Sequence, residues 1–258
     1  PLMFAGFAGI VIKTSDRWFI QYFHGSNELG IFAVGAKFAL IMAIFIEVFR
    51  KSWWPLAMQS LNLKNGEEIY INIGRFYIGF SCSLIIFLTY LSPYFLKIFA
   101  NENFFDSWPI FGILSWQSIF YGSLLIFCGG IWKFEKSSIN FLITLISSVA
   151  GLVLNFIFIP KYSSIGASIS TSITFLFWFL LTLLVSNHYW KIRFKFRLIA
   201  FHLLLAISTC IFLISSYSYL DNLVRLSVAV VSLLIILFTT TTKTHKKLIL
   251  DKLRLFIT

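Results

Sequence analysis

Apolar residues run through this chain in long stretches, and polar residues gather in short clusters between them. A helix needs roughly 20 apolar residues to cross the hydrocarbon core of a bilayer. Eight stretches meet that requirement: Leu2–Phe23, Gly30–Trp53, Ile69–Leu91, Trp108–Trp132, Ile139–Ile159, Ser164–Ser186, Leu198–Tyr219 and Leu223–Thr240. The breaks carry turn chemistry, with HGSNELG at 24–30, LKNGEE at 63–68, PK at 160–161 and DN at 221–222. The pattern predicts an all-α polytopic membrane protein of about eight transmembrane helices.

Composition narrows the class. The 258 residues are 59% hydrophobic and only 12% charged, about half the charge of an average soluble domain. That excludes an ordinary water-soluble domain, a disordered tail and a disulfide scaffold. Cys82, Cys128 and Cys210 lie far apart within apolar runs and form no ligand-spaced cluster, so no metal is expected. The net charge of +11 is distributed unevenly. One alternating set of connections holds Lys97, Lys161 and Arg225. The other holds Arg50, Lys51, Lys64, Lys133, Lys136, Lys191, Arg193, Lys195 and Arg197, with five more basic residues in the tail KTHKKLILDKLRLFIT. Lys and Arg concentrate in cytoplasmic loops, so this asymmetry puts both ends of the chain in the cytoplasm and requires no nucleic-acid partner. The tail is expected to be either an interfacial helix on an anionic leaflet or a solvated orienting segment. The sequence begins at Pro1, already apolar, and is expected to be a fragment lacking an upstream part.

Charge within the bilayer is costly and usually faces a cavity or a partner. At about 100° per residue, Lys13, Asp16, Arg17, Gln21 and His24 fall within an arc of about 140° on the first helix. They line a cavity, or the outer ones snorkel to the interface. Lys37 has no carboxylate one helical turn away and stands out as a contact for an anionic substrate. Glu47 and Lys51 are spaced to pair near the cytoplasmic end. Arg75 shares a stripe with Glu68, Asn72, Gly79, Cys82 and Tyr90, and either pairs with a neighbouring helix or meets substrate. Asn140, Thr144, Ser147, Gly151 and Asn155 fall within about 80°, a pattern that favours close helix packing. Ser164, Ala167, Ser168 and Thr171 repeat the theme, and Gly166-Ala167 allows tight re-entry of the chain after Pro160. The last two helices carry His202 and Thr209 on one face but no deep charge, and read as an apolar appendix. No P-loop, HExxH or GxSxG motif is present, and the outer connections are poor in catalytic residues.

Several of these features occur together in a known family. Asp16-Arg17, Gly30-Ile31-Phe32, Lys37 and Trp53-Trp54-Pro55, followed by LNFIFIPKYSSIGASIST at 154–171, resemble the C-terminal half of polysaccharide biosynthesis and O-antigen flippases. These belong to the superfamily that also holds multidrug exporters. The match departs at Ser163, where glycine is common in the family. The resemblance implies a second six-helix bundle over residues 1–190, packed against a missing N-terminal bundle, with two additional helices and a basic tail over 191–258. It implies movement of an undecaprenyl-diphosphate-linked oligosaccharide to the outer leaflet of the bacterial inner membrane by alternating access. Lys13, Asp16, Arg17, Gln21, Lys37 and Arg75 would then line the substrate cavity. No cofactor is expected; coupling to H+ or Na+ fits the superfamily, with Asp16 or Glu47 as the titrating group. Polysaccharide assembly proteins are natural partners. Two other readings remain open: a membrane enzyme of the same pathway, such as a repeat-unit polymerase or acyltransferase, and a drug exporter, which would favour acidic cavity residues.

Overall fold

The computed structural model describes residues 2–240, and all the regular structure among them is helical. The elements are α1 (Leu2–Ser60), α2 (Gly66–Phe99), a 3-10 turn (Glu102–Ser107), α3 (Trp108–Phe127), α4 (Gly129–Lys133), α5 (Ser137–Tyr189), α6 (Phe196–Ser215) and α7 (Asn222–Thr240). Six helical segments are long and apolar enough to cross a membrane. The eight separate helices expected from hydropathy are not what forms. The first two predicted spans share α1 and the fifth and sixth share α5. Each pair is joined by a single non-helical residue, Gly25 (φ 79°, ψ −172°) or Ser163 (φ 51°, ψ −133°), instead of a loop.

Both long helices fold back on themselves. In α5, Ser170 Oγ donates to Asn155 Oδ1 at 2.6 Å. Fifteen residues of unbroken helix would separate these groups by about 22 Å, so the two arms must lie antiparallel. A Cβ at Gly151 would meet Thr174 at 2.9 Å, in the same register. The polar stripe predicted for close packing therefore packs as expected. In α1, Lys13 lies over Tyr121 and Ile46 lies against the position of Gly122, so the two arms meet neighbouring residues of α3 from opposite ends of the helix.

α3 forms the middle of the bundle, with Ile110, Phe111, Ile119 and Ile126 fully buried. It packs against both long helices and α2. Pro109 starts it without loss, because the first turn of a helix has no use for that N–H. Glu67 and Glu68 open α2 and Lys97 closes it, each matching the helix dipole. α6 and α7 lie against α2. Their outward faces, with Leu204, Ile211, Leu223 and Phe238, are exposed and apolar, as a lipid-facing surface requires. The basic segment at 243–258 lies outside the described residues.

Candidate functional site

The cations of α1 are brought to one depth by the fold-back. Lys13 and Lys37 lie twelve residues on either side of Gly25, about 18 Å along their arms, close to the middle of a roughly 30 Å core. Both are exposed. Lys13 Nζ sits 4.3 Å from the centre of the Tyr121 ring, a cation–π contact supplied by α3. Lys37 makes no hydrogen bond or ion pair among the described residues. Arg17 and Gln21 continue the row from Lys13 at intervals of one turn, also exposed, and Gln21 Nε2 donates to Ser26 Oγ at 3.2 Å. Exposed ammonium and guanidinium groups are costly against hydrocarbon, so at this depth they call for water, a ligand or polar groups of another helix.

Asp16 is not part of that row. Its edge of the predicted arc is covered by α5, and the side chain is 3% exposed. It accepts from the Arg17 backbone N–H at 2.8 Å and from Thr171 Oγ1 at 3.3 Å. Around it runs a polar seam between α1 and α5. Asn155 Nδ2 donates to Ser15 Oγ at 3.0 Å, and Ser148 Oγ donates to the Ala8 carbonyl at 2.8 Å. Small side chains let the backbones approach, and hydroxyl and amide groups bond across them. The arc of about 140° is wide enough to divide into an exposed cationic half and a buried seam.

The two bends are tied together at the end of this seam. The His24 Nε2–H donates to the Ile159 carbonyl at 2.8 Å. Glu28 Oε2 accepts from Ser163 Oγ at 2.7 Å and from Ser164 Oγ at 2.9 Å. Ser163 occupies a left-handed backbone conformation, so the carboxylate of α1 holds the strained residue of α5.

Other expectations change. Glu47 pairs with Arg50, one turn away, both carboxylate oxygens accepting from the Nε–Nη2 edge of the guanidinium, and not with Lys51. Arg75 lies on the α6–α7 side of α2, where Nη2 donates to the Thr239 carbonyl at 2.6 Å. His202 is buried, and its Nε2–H donates to Thr239 Oγ1 at 2.7 Å, consistent with a packing histidine. The last helix pair does carry a buried charge, at the start of α7. Arg225, assigned from sequence to a connection, is 0% exposed in α7. It donates to the Leu213 carbonyl at 3.0 Å and lies 4.8 Å from the Tyr217 ring centre. A single Arg one turn past Asp221 carries no sign of this burial in the sequence. Tyr121 was likewise missed, since one tyrosine within an aromatic-rich span has no distinguishing spacing.

On the side of α3 turned away from α1 lies an apolar cleft of about 510 Å³ between α3, the second arm of α5 and α6, with Trp116, Phe120, Ile173, Leu176 and Ile211 among its walls. Among the described residues no group of His, Cys, Asp and Glu is arranged to hold a metal, and the three cysteines are buried and unpaired with one another.

No protein-family profile matches the chain. Over 187 residues it is 29% identical to the capsular polysaccharide biosynthesis protein CapF of Staphylococcus aureus, covering 67% of this chain and 45% of that protein. Its fold is similar to that of the lipid II flippase MurJ in an inward closed conformation, with a TM-score of 0.65 at 17% identity over 90% of this chain and 50% of the flippase. The chain thus spans about half the length of the proteins it matches.

Proposed function

We propose that this chain forms one wall of an alternating-access flippase for a polyprenyl-diphosphate-linked glycan in polysaccharide assembly. The observation that carries the reading is the exposed row Lys13, Arg17 and Gln21 on the first arm of α1, with Lys37 exposed at a matching distance from the bend on the second arm, in a helical fold similar to that of a lipid II flippase. A diphosphate is strongly anionic, and cations in a water-filled cavity would replace part of its hydration as it crosses. Tyr121, beneath Lys13, holds the ammonium in place. In this reading each arm of α1 and α5 is one crossing, which brings the count to eight. The charge asymmetry supports placing both ends of the chain on the cytoplasmic side of a bacterial inner membrane. A second helical bundle closes the cavity, and rocking of the two bundles exposes it to each leaflet in turn.

Asp16 is the better of the two coupling carboxylates. Glu47 is neutralised by Arg50, whereas Asp16 is buried against Thr171 in the seam that links the two folded helices. Proton or Na+ binding at Asp16 would alter how α1 and α5 are held together, which is how an ion gradient biases two states.

The test is transport of a lipid-linked oligosaccharide in proteoliposomes containing the full-length protein. Lys13→Gln and Lys37→Gln should each slow flipping at least about tenfold, the loss of roughly 1.4 kcal/mol of favourable contact, with insertion unchanged. Wild-type rates in both variants would refute the site. Elongation of the glycan by the purified protein would instead make it an enzyme of the pathway.

A further inference from the structure

A polar cavity lies away from the cationic row of α1. It is about 220 Å³ in volume and opens between the start of α2, the segment before α6 and the first turns of α6. Its polar walls are Arg75, Lys195, His202 and Asn72, with Glu68 also lining it, and its apolar wall is formed by Ile71, Leu198 and Ile199. Glu68 and Lys195 are exposed at its mouth, and His202 is buried. Thr239, at the end of α7, anchors two of these walls: its carbonyl accepts a hydrogen bond from Arg75 Nη2, and its hydroxyl oxygen accepts one from the His202 Nε2–H. The guanidinium and the imidazole are thus held in place before any ligand arrives.

We infer that this cavity binds a phosphate-ester anion, chiefly the headgroup of an anionic phospholipid. Three features point there. Arg75 and Lys195 outweigh Glu68, and Lys191, Arg193 and Arg197 on the adjoining segment add to the positive field. Arg offers a planar fork that matches phosphate oxygens, and Asn72 adds a neutral donor. The apolar wall would be wasted on a free ion but suits the glycerol and first methylenes of a lipid. Arg75 lies nine residues into α2, about 13 Å, and Lys195 sits at the rim, so the cavity spans the depth between headgroup and acyl chain. At liquid density about seven waters would fill it, room for a phosphate and a short polar stem. The site draws Arg75 out of the transported-substrate cavity. It makes the α6–α7 pair a lipid-sensing element, and it does not depend on the flippase reading.

The experiment uses the full-length protein in detergent, stripped of lipid, with its melting midpoint followed against phosphatidylglycerol, phosphatidylcholine or inorganic phosphate. Phosphatidylglycerol should raise the midpoint saturably and phosphatidylcholine should not. Lys195→Glu, at an exposed position that leaves packing intact, should weaken the apparent affinity about tenfold, and Arg75→Gln at least as much. A shift by inorganic phosphate alone, lost in the same variants, would support the anion site and name the free ion as its occupant. Equal shifts by both lipids, or a phosphatidylglycerol shift that Lys195→Glu leaves unchanged, would overturn the proposal.

Discussion

Gly25 and Ser163 do the same job by different means. Each is the one non-helical residue at which a long apolar helix reverses, and each takes a positive φ. At Gly25 the backbone alone sets the demand. Its φ of 79° with ψ of −172° belongs to a region that side chains scarcely enter, although no atom lies within 4 Å of where its Cβ would be. At the second bend the positive φ falls on a serine, held by Glu28 from the other helix. The glycine there stands three residues later, at Gly166, where a Cβ would sit 2.4 Å from the Phe158 carbonyl oxygen. One bend needs glycine for conformation and the other needs it for space. Both bends are linked across the two helices, the first through His24 and the second through Glu28, but only at the second does the link fall on the residue with the positive φ.

The largest predicted effects separate these two needs. Gly166→Ala pushes a methyl into rigid backbone, and the arms of α5 must part to admit it. A loss of about 3 kcal/mol or more is expected, read as a lower melting midpoint and poorer recovery from the membrane. Gly25→Ala meets open space and should lose only the backbone term, about 1–3 kcal/mol. If Gly25→Ala proves the more damaging, the steric account of the second bend fails.

Next in size is Glu28→Gln. The carboxylate accepts two hydroxyl hydrogen bonds on one oxygen, and charge-assisted bonds are roughly twice as strong as neutral ones. Glu28 is only half-buried, so a loss of about 1–2 kcal/mol is expected at a pH where it is ionised. Hydrogen exchange should rise around the second bend and not around Gly25. Uniform loosening of both bends would mean that the link carries no local strain.

How much of this was legible beforehand differs by feature. The apolar runs located every helical arm, because length and hydropathy report burial in lipid directly. They could not show that two pairs of arms are continuous, since HGSNELG and PKYSS read as loops whether or not helical geometry resumes at once. The packing stripe from Thr144 to Asn155 was legible because small residues at helical spacing have one common use. The cationic row was legible as an arc, but where the arc divides was not: α5 buries Asp16 and leaves Arg17 exposed, and nothing within α1 encodes where its neighbour lies. Glu28 was read as part of a polar turn, because its role depends on two serines 135 and 136 residues away.

The smallest effect is the most discriminating. Ser163→Gly relieves a left-handed serine, worth roughly 1–2 kcal/mol, but removes its hydrogen bond to the Glu28 carboxylate, worth about 1.5–3 kcal/mol, and loosens the unfolded chain as added glycines do. These terms nearly cancel, so the single substitution should cost no more than about 1 kcal/mol. With Glu28→Gln already in place, the bond lost is a weaker neutral one while the strain relieved is the same. Ser163→Gly should then be neutral or slightly stabilising, and the double-mutant cycle should show a coupling of about 1 kcal/mol. A melting series of the four proteins measures it. Strict additivity would mean that Ser163 holds its conformation through the α5 hairpin alone. The positive φ of the second bend would then be as independent of the other helix as that of the first, and the contrast between them would reduce to the space around Gly166.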